Sequence, residues 1–368
     1  MTNATLESMN RSTVHGLSPK ANLEERARQA FVMQVKRGLN SLGSSGLQEL
    51  CARRGVEELG QAASVLEKSP FYAAWNALSK GSQRQMWRVL SDMISRQEVE
   101  LEGIAQEIHS RPKLGSLWLD PDFEMPEYLR DTAYHGQPGG YVLTRYPEDL
   151  YAGLMQEAGG TLYTRGAGTG RNDSKAQAVV RFIRDRFPDL APKRILDMGC
   201  GYGAQTCGYA LAFPEAETHG VDVGATVLRF GHLRAESLSV AIHLHQMDGA
   251  ATGFPDGHFD LILSNIVLHE VPAEKLQAMM NECRRLLAPG GLVLHQDAPS
   301  QRPGMTVAQS FLSMWQFEHN DEPFWESFAQ RPVPDALTAA GFEAEAAFED
   351  WGAQIDGPLF WYFVGARG

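Results

Sequence analysis

The chain predicts an α/β fold built on a doubly wound parallel sheet, with a mostly helical region ahead of it. Three observations carry that prediction. From Arg194 onward, short apolar runs of strand length alternate with segments of helical period. The first run, Arg194-Ile195-Leu196-Asp197-Met198, feeds directly into Gly199-Cys200-Gly201-Tyr202-Gly203, a glycine turn of the kind that brings backbone against a ligand between a strand and a helix. The last two apolar runs, Phe342–Phe348 and Leu359–Val364, have no helix between them and read as an antiparallel hairpin closing the sheet edge.

Taken in order, residues 1–22 are rich in Ser, Thr and Asn and read as a disordered tail. Residues 23–111 read as a helical N-terminal region. Leu23, Ala27, Ala30, Phe31, Val35 and Leu39 recur near helical spacing, and Gly43-Ser44-Ser45-Gly46 reads as a stop. A second helix is expected from about Leu47 into the sixties, a third from Ser69-Pro70, and the longest over residues 82–109, ending before Pro112. Residues 112–172 change character, with Pro112, Pro121, Pro126, Pro138 and Pro147 among many tyrosines. They form a connecting or substrate-covering segment, and the aromatics favour ordered packing over a spacer. Residues 173–368 form the α/β domain. Asp173-Ser174 caps a helix to Arg186. Strands are expected at Arg194–Met198, Glu217–Val221, Ile242–Gln246, Phe259–Asn265 and Gly291–Asp297, and helices at Ala204–Ala212, Ala225–Ser237, Glu274–Leu287 and Pro334–Ala340. Residues 300–331 are an insertion. With the closing hairpin, this is a Rossmann-like, seven-stranded sheet.

A chain of 368 residues that is 43% hydrophobic and 21% charged can bury a sizeable core. Its net charge of -12 argues against a nucleic-acid partner, which needs a basic footprint. No apolar run approaches the ~18 residues of a membrane span, so no membrane insertion is expected. The first twenty residues carry no apolar signal-peptide core, and Cys51, Cys200, Cys207 and Cys283 show no paired spacing. Free thiols and a cytoplasmic setting are expected, with no metal.

The acid ahead of the glycine turn bears on the ligand. A carboxylate at Asp197 would repel a pyrophosphate but not a cationic cofactor lacking phosphates. Gly199-x-Gly201-x-x-Ala204 also satisfies the dinucleotide fingerprint, with Asp222 as its ribose acid. What separates the two readings is the whole set: Asp197 before the turn, Asp222 ending the second strand, Asp248 in Gln246-Met247-Asp248-Gly249 after the third, Ser264-Asn265 ending the fourth, and Leu287-Ala288-Pro289-Gly290-Gly291 before the fifth. This set resembles the class I S-adenosylmethionine (SAM)-dependent methyltransferases, in the broad group that includes the type 11 and ubiquinone/menaquinone-like small-molecule enzymes. The resemblance covers about residues 174–298 and, loosely, the hairpin. It implies SAM as the cofactor. Asp197 would lie near its methionine end, with Gly199, Gly201 and Gly203 against the ribose and methionine. Asp222, with Val223 beside it, would take the ribose hydroxyls, Asp248 and Gly249 the adenine amino group, and Asn265 the place where cofactor meets substrate.

Catalytic candidates are His269 and Glu270, just past the fourth strand at the carboxyl edge of the sheet. They can serve as a general base for a hydroxyl or acidic-carbon acceptor, or as plain pocket wall. Substrate-binding candidates are His135 and Tyr141 in the aromatic segment, and Trp315, His319 and Trp325 in the insertion, because aromatics mixed with a few polar groups suit an organic pocket. The run from Tyr163 to Arg171 reads either as a lid over the cofactor carboxylate, with Arg165 or Arg171 pairing with it, or as a plain flexible loop. His243 and His245 share a strand face, but no third metal ligand lies nearby in sequence. The expected function is methyl transfer to a small organic acceptor through oxygen, carbon or nitrogen. A SAM-bound oxygenase, decarboxylase or cyclase, or a non-catalytic SAM-binding regulator, would carry the same motifs. The N-terminal helices either cover the substrate side or form a homodimer contact.

Overall fold

The computed structural model describes residues 15–130, 132–164, 172–300, 303–355 and 360–368. Among them a single sheet runs through the C-terminal domain. Its strands are β1 (Ser116–Trp118), β2 (Arg194–Met198), β3 (Glu217–Asp222), β4 (His243–Gln246), β5 (Phe259–Asn265), β6 (Leu287–Asp297), β7 (Ala347–Ala353) and β8 (Phe360–Arg367), in the order β1-β4-β3-β2-β5-β6-β8-β7. The pairings from β1 to β6 are parallel, and the β6–β8 and β8–β7 pairings are antiparallel. The order reverses between β2 and β5, the place where open α/β sheets bind ligands.

The expected seven strands are present, and an eighth, β1, extends the edge. It comes from the Pro-rich segment, where Leu117 and Leu119 pack beside buried Ile242 and Leu244. The hairpin begins later than expected because Phe342 is buried behind the helix Val333–Ala339 instead of opening a strand. Gly341, at φ 96°, turns the chain out of that helix.

The helical region departs further from the sequence reading. Helix α1 runs unbroken from Leu23 to Arg54, through the expected stop. Gly43 and Gly46 are there for close packing: a Cβ at Gly43 would stand 2.3 Å from the Trp75 ring, and one at Gly46 would stand 2.2 Å from Phe71. Both aromatics lie on the helix Pro70–Arg96. The helix expected from Ser69-Pro70 and the first part of the one expected over 82–109 form a single element, Pro70–Arg96, and the rest is a separate helix, Glu98–Ser110, beyond a break at Gln97. The buried Gln97 side chain accepts from the Lys20 N–H at 2.8 Å and donates to the Met93 carbonyl at 3.0 Å, which ties the break to the chain ahead of α1. That leading stretch is not loose where it is described. Leu17 is fully buried, and His15 Nε2 lies 2.8 Å from Glu157 Oε2.

Glu157 lies on the helix Tyr151–Thr164, which the sequence reading left inside a covering segment. This helix joins the two regions. Its Glu157 meets Arg234 of the helix Ala225–Ser237 at 2.5 Å, both buried. Its apolar face shares one cluster with Trp87 and Leu90 on one side and Tyr202 and Phe230 on the other. A Cβ at Gly153 would reach within 2.5 Å of Phe230, so glycine permits the two helices their approach.

Candidate functional site

A cavity of about 810 Å³ opens at the switch point and extends under the N-terminal helices. That volume lies within the usual range for organic ligands. One side is the set of strand ends. Gly199 (φ 69°) and Gly201 (φ 51°) line it, and side chains there would meet Val267 at 2.6 Å and Gln156 at 3.1 Å. Asp222 ends β3, with one oxygen accepting from the Gly201 N–H and the other from the Gly224 N–H, each at 2.9 Å. Each oxygen keeps a lone pair for a further donor. Burial raises its pKa. Val223, Asp248, Gly249 and Asn265 also line the cavity. Asp248 Oδ2 pairs with Lys275 at 2.6 Å, and its Oδ1 accepts from the Ala250 N–H at 2.9 Å.

Two of the expected cofactor residues do not face the cavity. Asp197 is buried beneath the turn, where one oxygen accepts from Thr206 Oγ1 at 2.6 Å and fastens the strand to the next helix. Burial raises its pKa to about 7. Gly203 is the left-handed residue (φ 69°) that starts the helix Ala204–Ala212. Gln156 and Lys175, which no motif marked, do line the cavity, and Gln156 Oε1 is buried with no hydrogen-bond partner among the described residues.

The opposite side holds an aromatic and charged chamber. Ile266 takes φ 57°, an uncommon conformation for a β-branched residue, directly after β5. The chain then enters a short 3-10 turn, Leu268–Glu270. Asp297, buried at the end of β6, accepts from the Leu268 N–H at 2.8 Å and from His269 Nδ1 at 2.5 Å. Burial pulls the His269 pKa down, but Asp297, Glu322 and Glu270 outweigh it and raise it to about 9. His269 Nε2 is left 3.9 Å from Glu270 Oε1 and 3.8 Å from Glu322 Oε2. Trp325 stands edge-on to the His269 ring, with centroids 4.9 Å apart.

His135 enters from the aromatic segment in a left-handed conformation (φ 56°). Its carbonyl accepts from Gln83 Nε2 and Trp87 Nε1, each at 2.7 Å, and its N–H donates to the Asn320 carbonyl at 2.9 Å. The helical region and the insertion thus fix this one residue together. Its ring nitrogens face a carboxylate each: Nε2 is 3.6 Å from Glu270 Oε1 and Nδ1 is 2.7 Å from Glu322 Oε1. Burial lowers its pKa, and the two glutamates override that and raise it to about 10. Tyr141 donates to Glu270 Oε1 at 3.2 Å and stacks on Tyr134.

The structure therefore brings His135, Tyr141, Trp315, Trp325, His269 and Glu270 to one cavity. His319 does not line it: its Nε2 is engaged behind the wall by Tyr72 at 3.2 Å and Asn76 at 3.4 Å. Arg165 and Arg171 lie outside the described residues. His135, Glu270 and Glu322 each offer a ligand atom within 4.8 Å of the others. Glu322 carried no sequence signal beyond its place in the aromatic run. Elsewhere, His245 finds a close neighbour that sequence spacing hid, His219 on β3, whose Nδ1 is 3.1 Å from its Nε2.

Comparison with known proteins defines the class. Residues 195–291 match a family model described as a methyltransferase domain. The chain is 36% identical over 156 residues to malonyl-[acyl-carrier protein] O-methyltransferase of Halorhodospira halophila, covering 41% of this chain and 48% of that one. It is 31% identical over 125 residues to demethylmenaquinone methyltransferase of Thermus thermophilus, covering 33% and 56%. Among solved structures, magnesium protoporphyrin IX methyltransferase of Synechocystis with bound S-adenosylhomocysteine aligns at 19% identity and a TM-score of 0.37, covering 52% of this chain and 80% of that one. Residues 195–291 thus carry a methyltransferase domain of the class I, SAM-dependent kind. The chain spans about half the length of the curated relatives it matches.

Proposed function

We propose that the protein transfers a methyl group from SAM to a small, partly apolar organic acceptor held between the sheet and the N-terminal helices. The observation that carries this reading is the continuity of the cavity, which joins the strand-end cradle to the aromatic chamber. When bound, SAM supplies a methyl group on a positively charged sulfur. The donor set fits a cation of that kind: Asp222 and Asp248 line the strand-end side of the cavity. In this reading Asp222 and Val223 hold the ribose, Asp248 and Gly249 the adenine, and Gly199, Gly201 and Asn265 the methionine end. Gln156 and Lys175 meet the amino-acid group. Asp197 and Gly203 act one layer back, fixing the turn.

On the acceptor side, Tyr141, Trp315 and Trp325 supply apolar walls, and His269, Glu270 and His135 supply polar contacts. Asp297 anchors His269 Nδ1, so Nε2 is the atom presented to the chamber. Trp75, Trp87 and Gln83 come from the helical region and cover the acceptor, which holds water away from it. The malonyl-[acyl-carrier protein] and demethylmenaquinone relatives act on organic acceptors, which supports this class of substrate. Four free, buried cysteines support a cytoplasmic setting, and among the described residues no helix is long and apolar enough to cross a membrane.

Calorimetric titration with SAM and S-adenosylhomocysteine tests the cofactor half. Saturable binding is expected, weakened about 100-fold or more by Asp222→Ala, since that change removes two charge-assisted ribose contacts. No binding to the unaltered protein overturns the reading. Incubation with acceptor fractions should then release S-adenosylhomocysteine, and product without it would show a different chemistry.

A further inference from the structure

We propose that His135, Glu270 and Glu322 bind one divalent transition-metal ion, whose open coordination positions face the chamber and take an oxygen donor of the acceptor. The inference deepens the methyl-transfer reading and rests on it for the acceptor alone; the metal site stands on its own geometry.

Three segments far apart in sequence converge on this point: the turn at 134–136, the turn after β5, and the insertion. Their ligand atoms lie within 4.8 Å of one another, so side-chain shifts of about an ångström bring them to a common ion at usual coordination distances. Glu322 is 1% exposed and lines the cavity; its Oε1 lies 2.7 Å from His135 Nδ1 without hydrogen-bond alignment, and its Oε2 receives no hydrogen bond among the described residues. A buried carboxylate in that state needs a cation. Among the described residues its cationic neighbours within 4 Å are imidazoles, His135 at 2.7 Å and His269 at 3.8 Å.

The surroundings match those of metal-ligating groups. Tyr141 donates to Glu270 Oε1 at 3.2 Å, which orients that carboxylate. His269 has Nδ1 fixed on Asp297 and Nε2 turned toward Glu270 and Glu322, which provides a further nitrogen at the rim of the group. An imidazole with two carboxylates selects the Mn, Fe, Co and Zn group over an all-oxygen calcium site. Three protein ligands leave positions open for an exogenous oxygen.

The test uses the full chain, stripped with a chelator and titrated with cobalt(II) and zinc(II) chloride. One ion per chain at micromolar or tighter affinity is expected, with a cobalt visible spectrum of a mixed nitrogen and oxygen site. His135→Ala and Glu322→Gln should each weaken uptake at least about tenfold while S-adenosylhomocysteine binding persists. Absence of uptake by the unaltered protein overturns the proposal and leaves His135 as the counter-ion of Glu322. Uptake unchanged in both variants also overturns it. Metal-free protein that binds S-adenosylhomocysteine but no metal defeats the metal site alone. Protein that takes up metal but no cofactor defeats the methyl-transfer reading and leaves the site intact.

Discussion

The cofactor side of the cavity is assembled from the ends of neighbouring strands in one sheet, whereas the acceptor side draws on an N-terminal helix at Gln83, an aromatic turn 52 residues further on at His135 and an insertion 185 residues beyond that at Asn320. The first is local: Gly199, Gly201 and Asp222 sit within a single strand-turn-helix-strand unit, and their geometry follows from the sheet. The second exists only in the folded chain. His135 keeps its left-handed conformation because Gln83, Trp87 and Asn320 hold its backbone from two directions. A site made of one contiguous unit tolerates change elsewhere. A site made of three depends on how the regions are joined.

That dependence can be broken at the joint. Glu157→Ala strips the buried Arg234 of its carboxylate and His15 of its partner, and should cost about 3–5 kcal/mol. One cooperative melting transition shifted downward is expected, because the two regions share an apolar cluster. Two separate transitions would show that the helical region is an independent unit. A smaller effect lies within that region. Gly43→Ala should destabilise by about 1–3 kcal/mol through its collision with Trp75. Gly38→Ala meets open space on the same helix and should gain up to about 1 kcal/mol. Denaturant titration of both variants checks the opposite signs, and equal gains would restore the reading of the glycines as mere helix breakers.

The smallest change sits under the cofactor turn. Burial raises the Asp197 pKa to about 7, so between pH 4 and 7 the folded protein binds more protons there than the unfolded chain. Stability of the ligand-free protein through this group therefore falls as pH rises across that window. Asp197→Asn should raise the melting temperature at pH 8, leave it nearly unchanged at pH 4, and flatten the slope between. A lower melting temperature at pH 8 would mean the Thr206 contact needs the carboxylate.

The α/β core was legible because its signals are contiguous. The glycine turn, the acids ending β3 and following β4, and the alternation of runs all lie in one stretch of chain, and the helices Ala204–Ala212 and Ala225–Ser237 have the expected bounds. The helical region was less so. Glycine reads as a break, yet at Gly43 and Gly46 it serves an aromatic neighbour that no local pattern reveals. Strand β1 has three residues in a Pro-rich segment, too few for alternation to register. On the acceptor side, Glu322, Asn320 and Gln156 matter through partners distant in sequence. His319 was marked for its aromatic company but spends its ring on Tyr72 and Asn76.

Five of the seven tryptophans, Trp75, Trp87, Trp315, Trp325 and Trp361, line the one cavity. Indole emission shifts with the polarity and quenching groups around the ring, so the protein carries its own optical reporter of occupancy. Candidate acceptors can be ranked by the change in intrinsic fluorescence before any methylated product has been identified.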